Sequence, residues 1–118
     1  MIASGCEWIV EAHGCSAPDL ANEAKLRGLF AHLIAEMDLH TVAEAAWHQF
    51  PGTGGLTGVS LLRESHIACH TFPEYGSLCL NVFCCRPRVG IDLETHLKQE
   101  FGATSVQVRR IERPYGTE

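Results

Sequence analysis

Residues 56–85 read LTGVSLLRESHIACHTFPEYGSLCLNVFCC, and this stretch decides the fold. Leu56 to Glu64, His66 to Phe72 and Ser77 to Cys85 are rich in β-branched, aromatic and aliphatic residues, the composition of strands. Pro73-Glu74-Tyr75-Gly76 separates the second run from the third and has the residues of a tight turn, which makes a hairpin the natural solution. With Glu74-Tyr75 as a two-residue tip, paired positions sum to about 149, so Ser65 faces residue 84 and lies within about one residue of Cys85. Side-chain alternation then sends Cys79, Asn81, Phe83 and Cys85 to one face and Leu78, Leu80, Val82 and Cys84 to the other. Cys84 is therefore the core thiol of the adjacent pair.

Upstream, Pro51-Gly52-Thr53-Gly54-Gly55 is a loop that lacks the Lys-Ser/Thr ending of a phosphate-binding loop. It ends a run, Thr41 to Phe50, that reads as a strand. Before it, Leu26, Leu29, Phe30, Leu33, Ile34 and Met37 recur at the spacing of a helix burying one stripe. Lys25, Arg27, His32 and Glu36 form its solvated side, and Ser16, with Pro18 and Asp19 behind it, signals a helix onset. Glu7 to Ala12 favours a strand. Downstream, Leu93, Leu97 and Phe101 line a second helix that Gly102 can end, and Ser105 to Ile111 reads as a last strand.

The order β-α-β-β-β-β-α-β, with short connections, predicts a two-layer α+β sandwich. Its sheet is largely antiparallel, with two helices on one face, and it forms a single domain over residues 1–118. The other sheet face must meet water or a partner. Apolar residues on both sides of several strands favour a partner, a second copy of the chain, and so a homodimer.

The chain has 118 residues, 46% hydrophobic and 19% charged, which suits one compact domain. Mean hydropathy is near zero, and no apolar run reaches the roughly 18 residues of a membrane span. Nine Lys and Arg against fourteen Asp and Glu give a net charge of -5, which disfavours a nucleic-acid groove and favours a small-molecule or protein partner. The short apolar patch Trp8-Ile9-Val10 follows no basic residue and is too brief for an export signal, so a cytoplasmic location is expected. The six cysteines then read as reduced thiols. Cys69, Cys84, Cys85, His66 and His70 crowd together, yet no C-x-x-C pair exists and no metal site is expected.

Glu64-Ser65-His66, then His70-Thr71-Phe72-Pro73-Glu74, then Cys85 at the end of the next strand, resembles the small prokaryotic S-adenosylmethionine decarboxylase proenzyme family. The likeness extends less strongly to Gly5, Glu11 and Cys15 and to the second helix, and so covers most of the chain. The family implies autocatalytic cleavage between Glu64 and Ser65, giving a β chain 1–64 and an α chain 65–118. The Ser65 hydroxyl attacks the Glu64 carbonyl, the ester undergoes β-elimination, and residue 65 becomes a pyruvoyl group. That group replaces pyridoxal phosphate: it takes the substrate amine as a Schiff base and receives the electrons left behind by CO₂. By resemblance, Cys85 returns the proton to the substrate and His70 is the processing base. Thr57 stands where the family has a serine whose hydroxyl supports cleavage. Phe50 and Phe72 map onto aromatics that sandwich adenine, and Glu74 onto a carboxylate that binds ribose.

Two departures bear on the substrate. The family carries histidine where this chain has Glu7 and aspartate where it has Asn81, so one carboxylate is gained and another lost beside the implied site, near Glu11. A repositioned carboxylate suits the distal guanidinium of arginine or the ammonium of ornithine, whereas Phe72 and Glu74 suit a nucleoside. S-adenosylmethionine is the leading substrate, ornithine or arginine the alternative, and an uncleaved, non-catalytic binding module the alternative outside enzymes. His70 raises a geometric question. Five residues along a straight strand put it about 16 Å from Ser65, so the two act together through a bend in the strand or through another subunit.

Overall fold

The computed structural model describes residues 2–117. It contains β1 (Ile2–His13), α1 (Ala17–Leu20), α2 (Glu23–Glu36), β2 (Ala46–Gln49), β3 (Leu56–Leu61), β4 (Ser65–Phe72), β5 (Ser77–Cys84), α3 (Leu93–Phe101) and β6 (Ser105–Thr117). The six strands form one sheet in the order β2-β3-β4-β5-β1-β6, and every neighbouring pair is antiparallel. The helices cover one face, giving the expected α+β sandwich.

The helical layer follows from its caps and stripes. Ser16 accepts a hydrogen bond from the Asp19 N–H but begins only the single turn α1. Asn22 then caps α2 by accepting from the Lys25 N–H, so the helix onset signalled at Ser16 is split in two. Leu26, Leu29, Phe30 and Leu33 of α2 are buried, as are Leu93, Leu97 and Phe101 of α3. They pack onto Cys6, Trp8, Val10 and Ala12 of β1, Ile67 and Cys69 of β4 and Leu78, Leu80, Val82 and Cys84 of β5. Each fully buried aliphatic side chain contributes roughly 1.5–3 kcal/mol. His32 departs from its solvated reading, because its ring stacks on His96 of α3 at 4.1 Å and ties the two helices together.

The central hairpin has the register expected of it, Ser65 opposite Cys84 and Phe72 opposite Ser77. The turn is longer than a two-residue tip. Pro73–Tyr75 form one 3-10 turn, and Gly76 at φ 64° closes it in the left-handed region that glycine enters without strain. β4 pairs without a bulge along both edges, with β3 and with β5. A bend between Ser65 and His70 is therefore ruled out within this chain.

The strand expected over Thr41 to Phe50 is confined to Ala46–Gln49, with one isolated bridge between Thr41 and Leu62. Residues 42–45 line a cavity with Arg27, Phe30 and Ile34 of α2, and only the Val42 N–H reaches β3, donating to the Leu61 carbonyl at 3.4 Å. β1 and β6 are longer than expected, because they pair with each other along almost their whole length. The sheet face away from the helices carries Val59, Leu61, Phe72 and Ile111, all substantially exposed.

Candidate active site

The connection from β3 to β4 is Leu62-Arg63-Glu64, and three backbone hydrogen bonds hold it. The Leu62 N–H donates to the Ser65 carbonyl at 3.0 Å and the Arg63 N–H to the His40 carbonyl at 2.9 Å. The third bond joins the junction to the end of β5: the Cys85 N–H donates to the Glu64 carbonyl oxygen at 2.6 Å. That oxygen belongs to the carbonyl a Ser65 hydroxyl would attack. An N–H aimed at it stabilises the negative charge that an attacking hydroxyl places there. The Glu64 carboxylate is held by Arg86 Nε at 3.1 Å.

The peptide that supplies this N–H is fixed on all sides. Cys84 is paired with Ser65 on one edge and with Cys6 on the other. The Tyr115 hydroxyl donates to the Cys85 carbonyl at 3.0 Å. Gly5 lies so close that a Cβ there would collide with the Cys84 carbonyl oxygen, which is why this position of β1 needs glycine. Burial pushes the Cys84 thiol up to about 11, so it stays neutral, while Cys85 is exposed. The expected division of labour between the two cysteines is present: Cys84 is core and Cys85 faces solvent beside the junction.

His70 lies toward the other end of β4. Its Nδ1 is 3.0 Å from the Thr57 hydroxyl, its partner across the β3–β4 ladder. Gly58, next to Thr57, leaves room for the Trp47 ring, with which a Cβ would collide. His70 lines a cavity of about 530 Å³ with Phe50, Thr53, Phe72, Glu74 and Tyr75. The structure thus brings together His70, Thr57, Phe50, Phe72 and Glu74 in one group, and Glu64, Ser65 and Cys85 in another. Within one chain it does not join the groups.

Between them, on the sheet face away from the helices, lie Glu7, Glu11 and Asn81. Asn81 Nδ2 donates to the Glu7 carboxylate, and Arg113 forms an ion pair with the same group. Arg109 Nη2 reaches both Glu11 oxygens, at 2.6 and 2.7 Å. Arg113 also lies over the Phe83 ring at 5.3 Å, and Phe83 stacks on His66 at 5.5 Å. The carboxylate gained at Glu7 is thus already neutralised by a cation of the same chain. Sequence reasoning did not single out Gly5's steric role, Arg86, Arg113 or Tyr115. Only Gly5 carried a signal, as a lone glycine at the head of a strand-like run.

Fold and junction define the class: a small α+β enzyme on a single antiparallel sheet, with its candidate reacting groups where a strand begins. The residue profile of the S-adenosylmethionine decarboxylase family matches residues 6–114, and the chain belongs to that family of carboxy-lyases. It is 33% identical over 114 residues to the S-adenosylmethionine decarboxylase proenzyme of Moorella thermoacetica, covering 96% of this chain and 90% of that one. To the proenzyme of Acetivibrio thermocellus it is 33% identical over 117 residues, with the same coverage. To that of Thermococcus gammatolerans it is 32% identical over 113 residues, covering 92% of this chain and 76% of the relative.

Proposed function

We propose that this chain is a proenzyme that cuts itself between Glu64 and Ser65, and that the cleaved unit decarboxylates S-adenosylmethionine. The observation that carries the reading is the hydrogen bond from the Cys85 N–H to the Glu64 carbonyl. It leaves the carbon beside Ser65 electrophilic and provides for the charge that forms on its oxygen. The donor set fits a pyruvoyl group made from Ser65, since the hydroxyl and the polarised carbonyl are neighbours in one chain. When present, such a group supplies an electron sink for the carbanion left by CO₂.

The roles of the chain's own residues follow. The Cys85 N–H orients and polarises the junction. The Thr57 hydroxyl, 3.0 Å from Nδ1, holds the His70 ring for proton removal during processing. Cys85, whose backbone is bonded to the junction and whose thiol is exposed, takes the role of returning a proton to the substrate carbon. Phe50 and Phe72 offer aromatic faces to the adenine, with Glu74 in the same cavity for the ribose hydroxyls.

Pairing of Glu7 with Arg113 and Asn81 weighs against arginine or ornithine, because no uncompensated carboxylate is left there to meet a second cation. The straight β4 supports a homodimer in which the junction of one protomer meets the His70 cavity of its partner. Exposed Val59, Leu61 and Ile111 on the open face give such a contact its apolar area. The test is CO₂ release from S-adenosylmethionine, ornithine and arginine side by side, with intact mass measured on the same preparation. Two fragments divided after Glu64 and release from S-adenosylmethionine are expected. Release confined to a basic amino acid would refute the substrate assignment, and a full-length chain would refute the processing.

A further inference from the structure

Seven of the nine Lys and Arg side chains form an ion pair with an acidic side chain. Among the described residues the two without such a partner are Arg63 and Arg88. Both line one cavity of about 240 Å³, together with Asp38, His40, Glu64 and Ser65. In a chain of net charge -5, two arginines without an acidic partner, both lining one small cavity, offer a site for an anion. The acidic groups there do not answer them. Asp38 points mostly into solvent and lies 3.9 Å from His40 Nε2, and the Glu64 side chain is taken by Arg86.

The cleavage proposed above makes an anion at this place. When the hydroxyl of Ser65 attacks, the Glu64 C–N bond breaks as a C–O bond forms, and the hydroxyl proton passes to the freed nitrogen. Loss of the residue 65 α-proton to the processing base then breaks the Cβ–O bond, whose electron pair leaves with the oxygen. Glu64 thereby acquires a free α-carboxylate that the precursor lacks. Water later replaces the nitrogen at residue 65, and ammonia departs.

We propose that Arg63 and Arg88 receive the new α-carboxylate of Glu64, drawing the cut end of the β chain away from residue 65. The inference rests on the cleavage reading. Arg63 belongs to the β chain and Arg88 to the α chain, so the second contact also ties the two pieces together. A guanidinium fork bonded to a carboxylate gives this tie direction as well as charge. Arg88 already stands close enough to the hairpin end to oppose, by its charge, the upward push of burial on the Cys84 thiol. Arg63 is anchored by its backbone bond to His40, so its side chain starts beside the cut.

The test compares Arg88→Gln in two backgrounds: the cleaved protein, and an uncleavable Ser65→Ala precursor. If the arginine binds the new terminus, Arg88→Gln lowers the thermal midpoint of the cleaved form by roughly 3–6 °C and that of the precursor by less than about 1 °C. Arg88→Lys, which keeps the charge and loses the fork, restores part of the difference. A second readout is the carbon resonance of the Glu64 α-carboxylate, labelled with carbon-13 and titrated with acid. Its midpoint lies below that of an ordinary chain terminus in the cleaved wild type and moves up in Arg88→Gln and in Arg63→Gln. Equal melting shifts in both backgrounds and an unchanged titration would overturn the inference. A wild-type chain that stays full length would instead sink the cleavage reading, and mass spectrometry of the same samples separates the two failures.

Discussion

Gly5→Ala tests the junction through a residue that takes no part in the chemistry. A Cβ at position 5 would collide with the Cys84 carbonyl oxygen and stand 3.2 Å from Cys85 Cα and 3.3 Å from the Cys84 carbonyl carbon. All three are backbone atoms, so no side chain can swing away and β5 itself must shift. The peptide unit that bears the obstructed carbonyl also bears the Cys85 N–H, the donor to the Glu64 oxygen at 2.6 Å. Moving one end of that rigid plane moves the other. Forcing a methyl group into packed structure costs about 1–3 kcal/mol of stability. Complete loss of a donor of this kind slows acyl chemistry by about 10²–10³. A displaced donor is expected to slow cleavage between about tenfold and a hundredfold. The assay follows conversion of full-length chain into two fragments by mass after a pulse of synthesis, with chemical denaturation run on the uncleaved material. Gly28→Ala is the matched control, because a Cβ on that exposed helical glycine meets nothing within 4 Å. It should raise stability by about 0.5–1 kcal/mol and leave cleavage unchanged. A folded Gly5→Ala protein that cleaves at the wild-type rate would refute the role given to the Cys84–Cys85 peptide.

Three other perturbations probe separate parts of the site. Thr57→Val keeps the shape of the side chain but removes the partner of His70 Nδ1, and should slow cleavage by about 10–10²; Thr57→Ser should cleave at nearly the wild-type rate, and equal slowing by both would remove the hydroxyl from the mechanism. If, as proposed, the partner's His70 serves each junction, co-expression of Ser65→Ala with His70→Ala should restore processing and decarboxylation at one site per mixed dimer; a mixture as inactive as its parents would refute the shared site. Burial pushes the Cys69 thiol up to about 12 and Cys84 up to about 11 from the ordinary 9.0, so the folded state holds protons that the unfolded chain releases. Stability is then full below about pH 9 and falls as pH rises toward those values, by up to about 1.4 kcal/mol per pH unit for each thiol. Cys69→Ala should remove one thiol's share of that slope in denaturation curves from pH 8 to 11, and an unchanged slope would contradict the assignment.

How far the sequence carries depends on how local the interactions are. The β4–β5 register was legible because Pro73–Gly76 makes a turn and the alternation of Leu78, Leu80, Val82 and Cys84 leaves one phase for the hairpin. The same arithmetic placed Ser65 against Cys84 and separated His70 from it. The stripes of α2 and α3 were legible for a similar reason, each burying residues three or four apart. The strand read over Thr41 to Phe50 failed at its first half, where Val42 lies beyond the end of regular pairing and more than half its surface stays exposed. The surroundings of the junction were illegible for a different reason. β1 lies between β5 and β6, an order no neighbouring residues encode, and it brings Gly5 to Cys84, Arg113 to Glu7 and Tyr115 to Cys85. Arg63 and Arg88 become a pair only when the ends of β3 and β5 meet.

The most direct measurement is the mass of the freshly purified chain before and after borohydride treatment. Two fragments parted after Glu64, with a reducible ketone at residue 65 and one ammonia missing from the α chain, are the expected result. A single chain of full mass, with an unmodified serine at that position, would contradict it.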